Sequence, residues 1–186
     1  MDPYSSFLLE NEDSEVPLGF RFRPSDVELM EYYLLRKIKG EQLASNFIKD
    51  LNVYQYDPPQ LPLSQFKNAI KNEGYFFTMV KRKKFLNDNT TRTTPNGYWK
   101  AYNENIPMYG AKGIIGFKDK YSFYDGKDPN GDKTDWKMIE YRCNPSLVPA
   151  ASTSGTENYI VCKVMHKKKT EEGETVLEGN VEDENM

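Results

Sequence analysis

Tyr121-Ser122-Phe123-Tyr124-Asp125-Gly126-Lys127-Asp128-Pro129-Asn130-Gly131 decides the fold, because an aromatic run with strand character passes straight into a segment dense in turn formers. Aromatic residues suit a pleated, half-buried surface, whereas Gly, Pro, Asn and Asp supply the backbone geometry of a reversal. The strand pattern resumes from Trp136 to Arg142, so the stretch predicts a hairpin with its loop at residues 125–131. Similar runs lie upstream in Tyr75-Phe76-Phe77, Gly97-Tyr98-Trp99 and Ile114-Ile115-Gly116-Phe117, and downstream from Tyr159 to Met165 beyond the loop Asn144 to Glu157.

Before Gly74 the pattern is helical. Ser25 stands at an N-cap position with Glu28 three residues later, and Pro24 precedes it. Val27, Met30, Leu34 and Ile38 then repeat at helical spacing, and Gly40 suits the stop. A shorter helical piece is predicted over Asn46 to Leu51, ended by the Asp57-Pro58-Pro59 turn. Helices first and strands later predict an α+β fold: a twisted antiparallel β-sheet flanked by a few helices.

The 186 residues favour one domain with tails, and 38% apolar with 13% aromatic residues suffices for a core. Residues 1–15 and 170–186 lack apolar periodicity and are expected to be disordered. The second of these carries Glu171, Glu172, Glu174, Glu178, Glu182, Asp183 and Glu184 with no Lys or Arg. The folded domain is thereby placed at residues 16–169. No run approaches the roughly 18 apolar residues of a spanning helix, and a signal pattern is absent, so an intracellular protein without a membrane partner is expected.

Cys143, Cys162 and His166 cannot alone supply a four-ligand structural zinc site, and both thiols read as free core residues. With one histidine and no Gly-rich phosphate loop, hydrolytic triads and nucleotide motifs lack support. An enzyme is therefore not expected, nor a cofactor or metal. The net charge of −3 averages an acidic tail with a moderately basic middle. For Lys81-Arg82-Lys83-Lys84 a solvated loop, phosphate contact and a nuclear-import signal all fit. Gly97-Tyr98-Trp99-Lys100-Ala101 soon after favours nucleic acid, since a strand bearing cations beside aromatics can lie in a major groove. Tyr98 and Trp99 also fit as core, at least one of them.

The order of motifs resembles the NAC domain of plant transcription factors, over roughly Val16 to Lys169. Val16-Pro17-Leu18-Gly19-Phe20-Arg21-Phe22-Arg23-Pro24-Ser25-Asp26 is similar to the family's LPPGFRFHPTD. Val53-Tyr54-Gln55-Tyr56-Asp57-Pro58 through Leu61-Pro62 resembles DLYKFDPWDLP, and Tyr75-Phe76-Phe77 with Gly97-Tyr98-Trp99-Lys100-Ala101 resembles EWYFF and GYWKATG. Lys133-Thr134-Asp135-Trp136 with Glu140-Tyr141-Arg142 matches KTxWxMHEYR, and Tyr159-Ile160-Val161-Cys162-Lys163-Val164 is close to WVLCRIYKK. The resemblance implies a nuclear transcription factor that binds double-stranded DNA as a homodimer or as a heterodimer with other NAC proteins. It implies dimerisation through Leu18, Phe20, Arg21 and Glu28, with Arg21 and Glu28 pairing across the dimer. DNA contacts are expected from Lys81, Arg82, Lys83, Lys84, Arg92, Tyr98, Trp99, Lys100, Ala101, Tyr102, Asn103, Lys127 and Lys133.

The chain departs from the family where DNA should be read. In register with WKATGxDKP, Tyr102 replaces Thr, Asn103 replaces Gly and Ile106 replaces Lys, while Asn89 takes the place of one family arginine. Asp128 and Asp132 enter the family's basic GKxPKGxK. Each change points toward weaker DNA binding. A second expectation follows, of an interaction protein that keeps the fold, binds DNA poorly and captures longer relatives in heterodimers. The acidic segment standing where family members carry a long activating region favours it.

Overall fold

A computed structural model of the chain describes residues 19–43, 45–63, 70–81, 91–148 and 157–167. The N-terminal helix runs through α1 (Asp26–Glu28), a π-helical stretch (Leu29–Leu34) and α2 (Leu35–Lys39). Its ends are the ones the residues dictate. The Ser25 hydroxyl accepts from the Glu28 amide at 3.2 Å. Gly40 takes a left-handed conformation at φ 71°, which lets Glu41 N–H donate back to the Arg36 carbonyl at 2.9 Å. The π-helical middle is not visible in the spacing. Leu29 and Tyr33 join the anticipated Met30 and Leu34 on the buried face.

One seven-stranded sheet follows, in the order β1-β2-β7-β6-β5-β4-β3. The strands are β1 (Lys49–Asp50), β2 (Glu73–Lys81), β3 (Thr91–Thr93), β4 (Gly97–Gly110), β5 (Gly113–Asp125), β6 (Asp132–Cys143) and β7 (Glu157–His166). All neighbours pair antiparallel except β1 with β2, so the sheet is mixed. Here the expected helix over Asn46 to Leu51 is corrected: Lys49 and Asp50 are extended against Phe76 and Phe77. So short a helix cannot nucleate alone, whereas pairing satisfies its backbone through Leu51 N–H to the Phe77 carbonyl at 3.1 Å and Thr78 Oγ1 to the Leu51 carbonyl at 2.8 Å. The loop between β5 and β6 lies where the turn formers predict.

Both faces of the sheet are partly covered. Alternation along β2 sends Tyr75 and Phe77 under the helix with Phe22, Met30 and Leu34, and Phe76 and Val80 to the opposite core with Trp99, Phe123 and Met138. Gly116 lets the helix close on β5, since a Cβ there would strike Met30 and the Arg142 carbonyl. Cys143 and Cys162 are free thiols, half-buried and buried. Burial pushes both thiol pKa values up, to about 12 for Cys143. Among the described residues no helix is long and apolar enough to cross a membrane.

Candidate nucleic-acid interface

Beyond the end of the helix one sheet face carries a polar row, with Lys100 exposed, Lys137 half-buried and Ser122 buried, and cross-strand register identifies its residues. Thr91, Lys100, Ser122, Lys137 and Met165 are successive partners from β3 to β7 and share a face. The adjacent row holds Asn103, Lys120, Ile139 and Lys163, and Lys133 pairs with Tyr124 further along. Cations thus stand on neighbouring strands about 4.8 Å apart, close enough to act on one phosphate backbone.

Tyr102 stands over this face at 60% exposure, with the Lys137 ammonium 5.2 Å from its ring centre. The same ammonium donates to Ser122 Oγ at 2.6 Å. Partial burial, then the nearby cations Lys133 and Lys167, lower the Lys137 pKa against the opposing pull of Asp135. An anion placed there would relieve that mutual repulsion.

The opposite face carries a buried charged seam. Arg92 lies 3.6 Å from Glu140, and the Tyr54 hydroxyl also donates to Glu140. Burial works against the Arg92 charge, but Glu140 outweighs it and raises the guanidinium pKa above its ordinary value. Burial raises the Glu140 pKa despite the pull of Arg92 and Tyr54. The next pair along is Asp119 with Arg142, at 2.6 Å. Asp57 ties the turn before β4 in place, accepting from Thr94 Oγ1 at 2.6 Å and from the Asn96 amide at 3.0 Å.

Several expected contact residues are elsewhere. Tyr98 and Trp99 are 2% and 0% exposed, so both rings are structural. Tyr98 stacks on Tyr124 at 5.2 Å and accepts from the Gly131 amide, while Trp99 meets Phe123 edge-on at 5.0 Å. Ala101 packs against the second core, and Arg92 is turned inward to Glu140. Tyr98 and Trp99 are thereby removed from the accessible surface, whereas Ala101 and Arg92 are half-buried. Lys100, Tyr102 and Asn103 are exposed on β4, Lys127 in the hairpin loop and Lys133 on β6. Lys81 ends β2, whereas Arg82, Lys83, Lys84 and Leu18 lie outside the described residues. Phe20 is 39% exposed and stacks on Phe47; Arg21 and Glu28 are exposed.

Lys120, Lys137 and Ser122 join the face unanticipated. Their signal was alternation: Lys120 and Ser122 interleave with Tyr121 and Phe123, so inward aromatics imply an outward polar row.

A family model described as "No apical meristem (NAM) protein" matches residues 17–143. The chain belongs to the NAM, or NAC, family. It is 38% identical over 159 residues to NAC domain-containing protein 26 of Arabidopsis thaliana, covering 85% of this chain and 40% of that protein. Transcription factor JUNGBRUNNEN 1 of the same plant is 34% identical over 170 residues, 91% of this chain and 61% of the relative. NAC domain-containing protein 1 of Solanum lycopersicum is 36% identical over 177 residues, 93% and 61% respectively. The chain therefore spans between 40% and 61% of the length of these NAC relatives.

Proposed function

We propose that this NAC chain is a sequence-selective, double-stranded-DNA-binding transcription regulator that acts as a dimer in the nucleus, without catalysis. The observation that carries the reading is the group of lysines that register places on one sheet face, Lys100 and Lys133 exposed and Lys120 and Lys137 half-buried. Such a face supplies sequence-independent phosphate attraction, and β4 with exposed Tyr102 and Asn103 supplies groups for base edges. Membership of the NAC family supports regulation of transcription, as does the similarity to a relative named as a transcription factor.

Dimerisation is assigned to the segment before and at the start of the helix, where Phe20, Arg21 and Glu28 are exposed. An exposed ion pair contributes only about 0–1 kcal/mol, so Phe20 and Leu18 carry more of the association. The inward turn of Arg92 to Glu140 favours the second reading, a partner-capturing protein with weak DNA affinity. One mobility-shift series with the full chain tests both, on a duplex site selected by a longer NAC relative and on a mixed-sequence duplex, with the oligomer mass measured alongside. A salt-sensitive shift by a dimer supports the first reading. A dimer without a shift supports the second, and a monomer without a shift contradicts both.

A further inference from the structure

Strand β4 does not run smoothly beside β5. Its register breaks between Ala101 and Asn103, and again between Asn103 and Ile106. Tyr102, Glu104 and Asn105 are thus bulged residues in the stretch facing solvent, and a bulge re-aims the side chains it contains. Asn105 sits at φ 54°, in the left-handed region that Asn enters more readily than other side-chained residues.

The surroundings that fix it converge on one carboxylate. Asp119 Oδ1 accepts the Asn105 backbone N–H at 2.6 Å, and its Oδ2 accepts Arg142 Nη1 at 2.6 Å. Arg142 Nη2 closes the ring by donating to the Asn105 side-chain carbonyl. Asp119 is 7% exposed and alternates with Lys120, so it points away from the basic face. It is also the direct register partner of Glu140. Like charges directly opposite destabilise a sheet, so a carboxylate at this position does not favour strand pairing. Its local gain is the hold on the bulge.

We propose that Asp119, through Asn105 and Arg142, is the positioning residue that fixes the bulged segment 102–105 for nucleic acid, and so sets sequence selectivity rather than general affinity. The inference rests on the DNA reading of the face. Three measurements on full-length Asp119→Asn and Arg142→Lys test it. These are amide exchange over residues 101–107, preference for the duplex selected by the wild type over a mixed-sequence duplex at one salt concentration, and the salt slope on the mixed duplex. Asp119→Asn is expected to exchange about tenfold faster in this segment while distant strands keep their protection. Its preference falls by about threefold or more with the salt slope unchanged. Arg142→Lys keeps the ion pair but not the fork, so it should fall between the two proteins. Unchanged exchange in both variants overturns the proposal, as does faster exchange with full preference. If the wild type prefers no duplex, the DNA reading itself fails and the proposal falls with it. That outcome is separable, because it is seen before any variant is made.

Discussion

The Lys137 ammonium is held between the Tyr102 ring, 5.2 Å from its centre, and Ser122 Oγ at 2.6 Å. A side chain on β4 therefore covers a cation two strands away, on β6. Where the family places Thr, the smaller residue would leave that lysine open to a phosphate.

Replacing Tyr102→Thr, Asn103→Gly and Ile106→Lys together should tighten binding to a duplex site selected by a longer NAC relative by at least about tenfold, or about 1.4 kcal/mol. The change uncovers Lys137, lets the backbone approach more closely and restores a cation. Titration at one fixed salt concentration, with a thermal melt as the check on folding, measures it. Equal or weaker binding by the triple variant would mean that Tyr102 makes a favourable contact of its own.

Glu140 is 1% exposed and shares its charge with Arg92 and Tyr54. Glu140→Gln should cost about 3–5 kcal/mol in denaturant unfolding, because it leaves the Arg92 guanidinium without a counter-charge in the interior. Replacing both Glu140 and Arg92 with Met should recover much of that loss. A loss under about 1 kcal/mol for the single variant would place the pair effectively in water.

The Asp57 pKa lies below its ordinary carboxylate value: burial opposes the shift, but hydrogen bonds from Thr94 and Asn96 outweigh it. A depressed folded-state pKa contributes stability above the unfolded value, about 3.9, and loses it as pH falls through the folded value. The melting temperature of Asp57→Asn should therefore lie furthest below wild type near pH 6, with the gap narrowing toward pH 3 (both about). A gap that stays constant across this range would show that the charge of Asp57 contributes nothing.

At the proposed dimer surface, Arg21→Glu should weaken association at low micromolar protein, and adding Glu28→Arg should partly restore it. The pair is exposed, so the effect is about 1 kcal/mol. Light scattering or mass photometry over a dilution series reads it. An undiminished dimer in the single variant would move the interface elsewhere.

The sheet was legible because aromatics alternate: Tyr75 and Phe77 against Phe76, and Tyr121 and Phe123 against Lys120 and Ser122. The helix ends were legible because Ser25 and Gly40 act within a few residues of themselves. Strand β1 was not, since Lys49 and Asp50 are extended only by virtue of Phe76 and Phe77, which lie far along the chain. The inward turn of Arg92 was hidden for the same reason: the carboxylate that draws it in belongs to β6, and no local pattern links the two. Tyr98 and Trp99 had two local readings, groove and core, and only packing against Tyr124 and Phe123 decides between them.

The most direct test of the account is the salt dependence of duplex binding by the full chain and by Lys100→Ala, Lys120→Ala and Lys133→Ala. Each lysine that meets a phosphate contributes about 0.9 to the slope of log affinity against log salt. Slopes that fall by about that amount in each single variant, and additively when they are combined, are the predicted result. Three variants that all keep the wild-type slope would contradict the assignment of the open sheet face as the nucleic-acid interface.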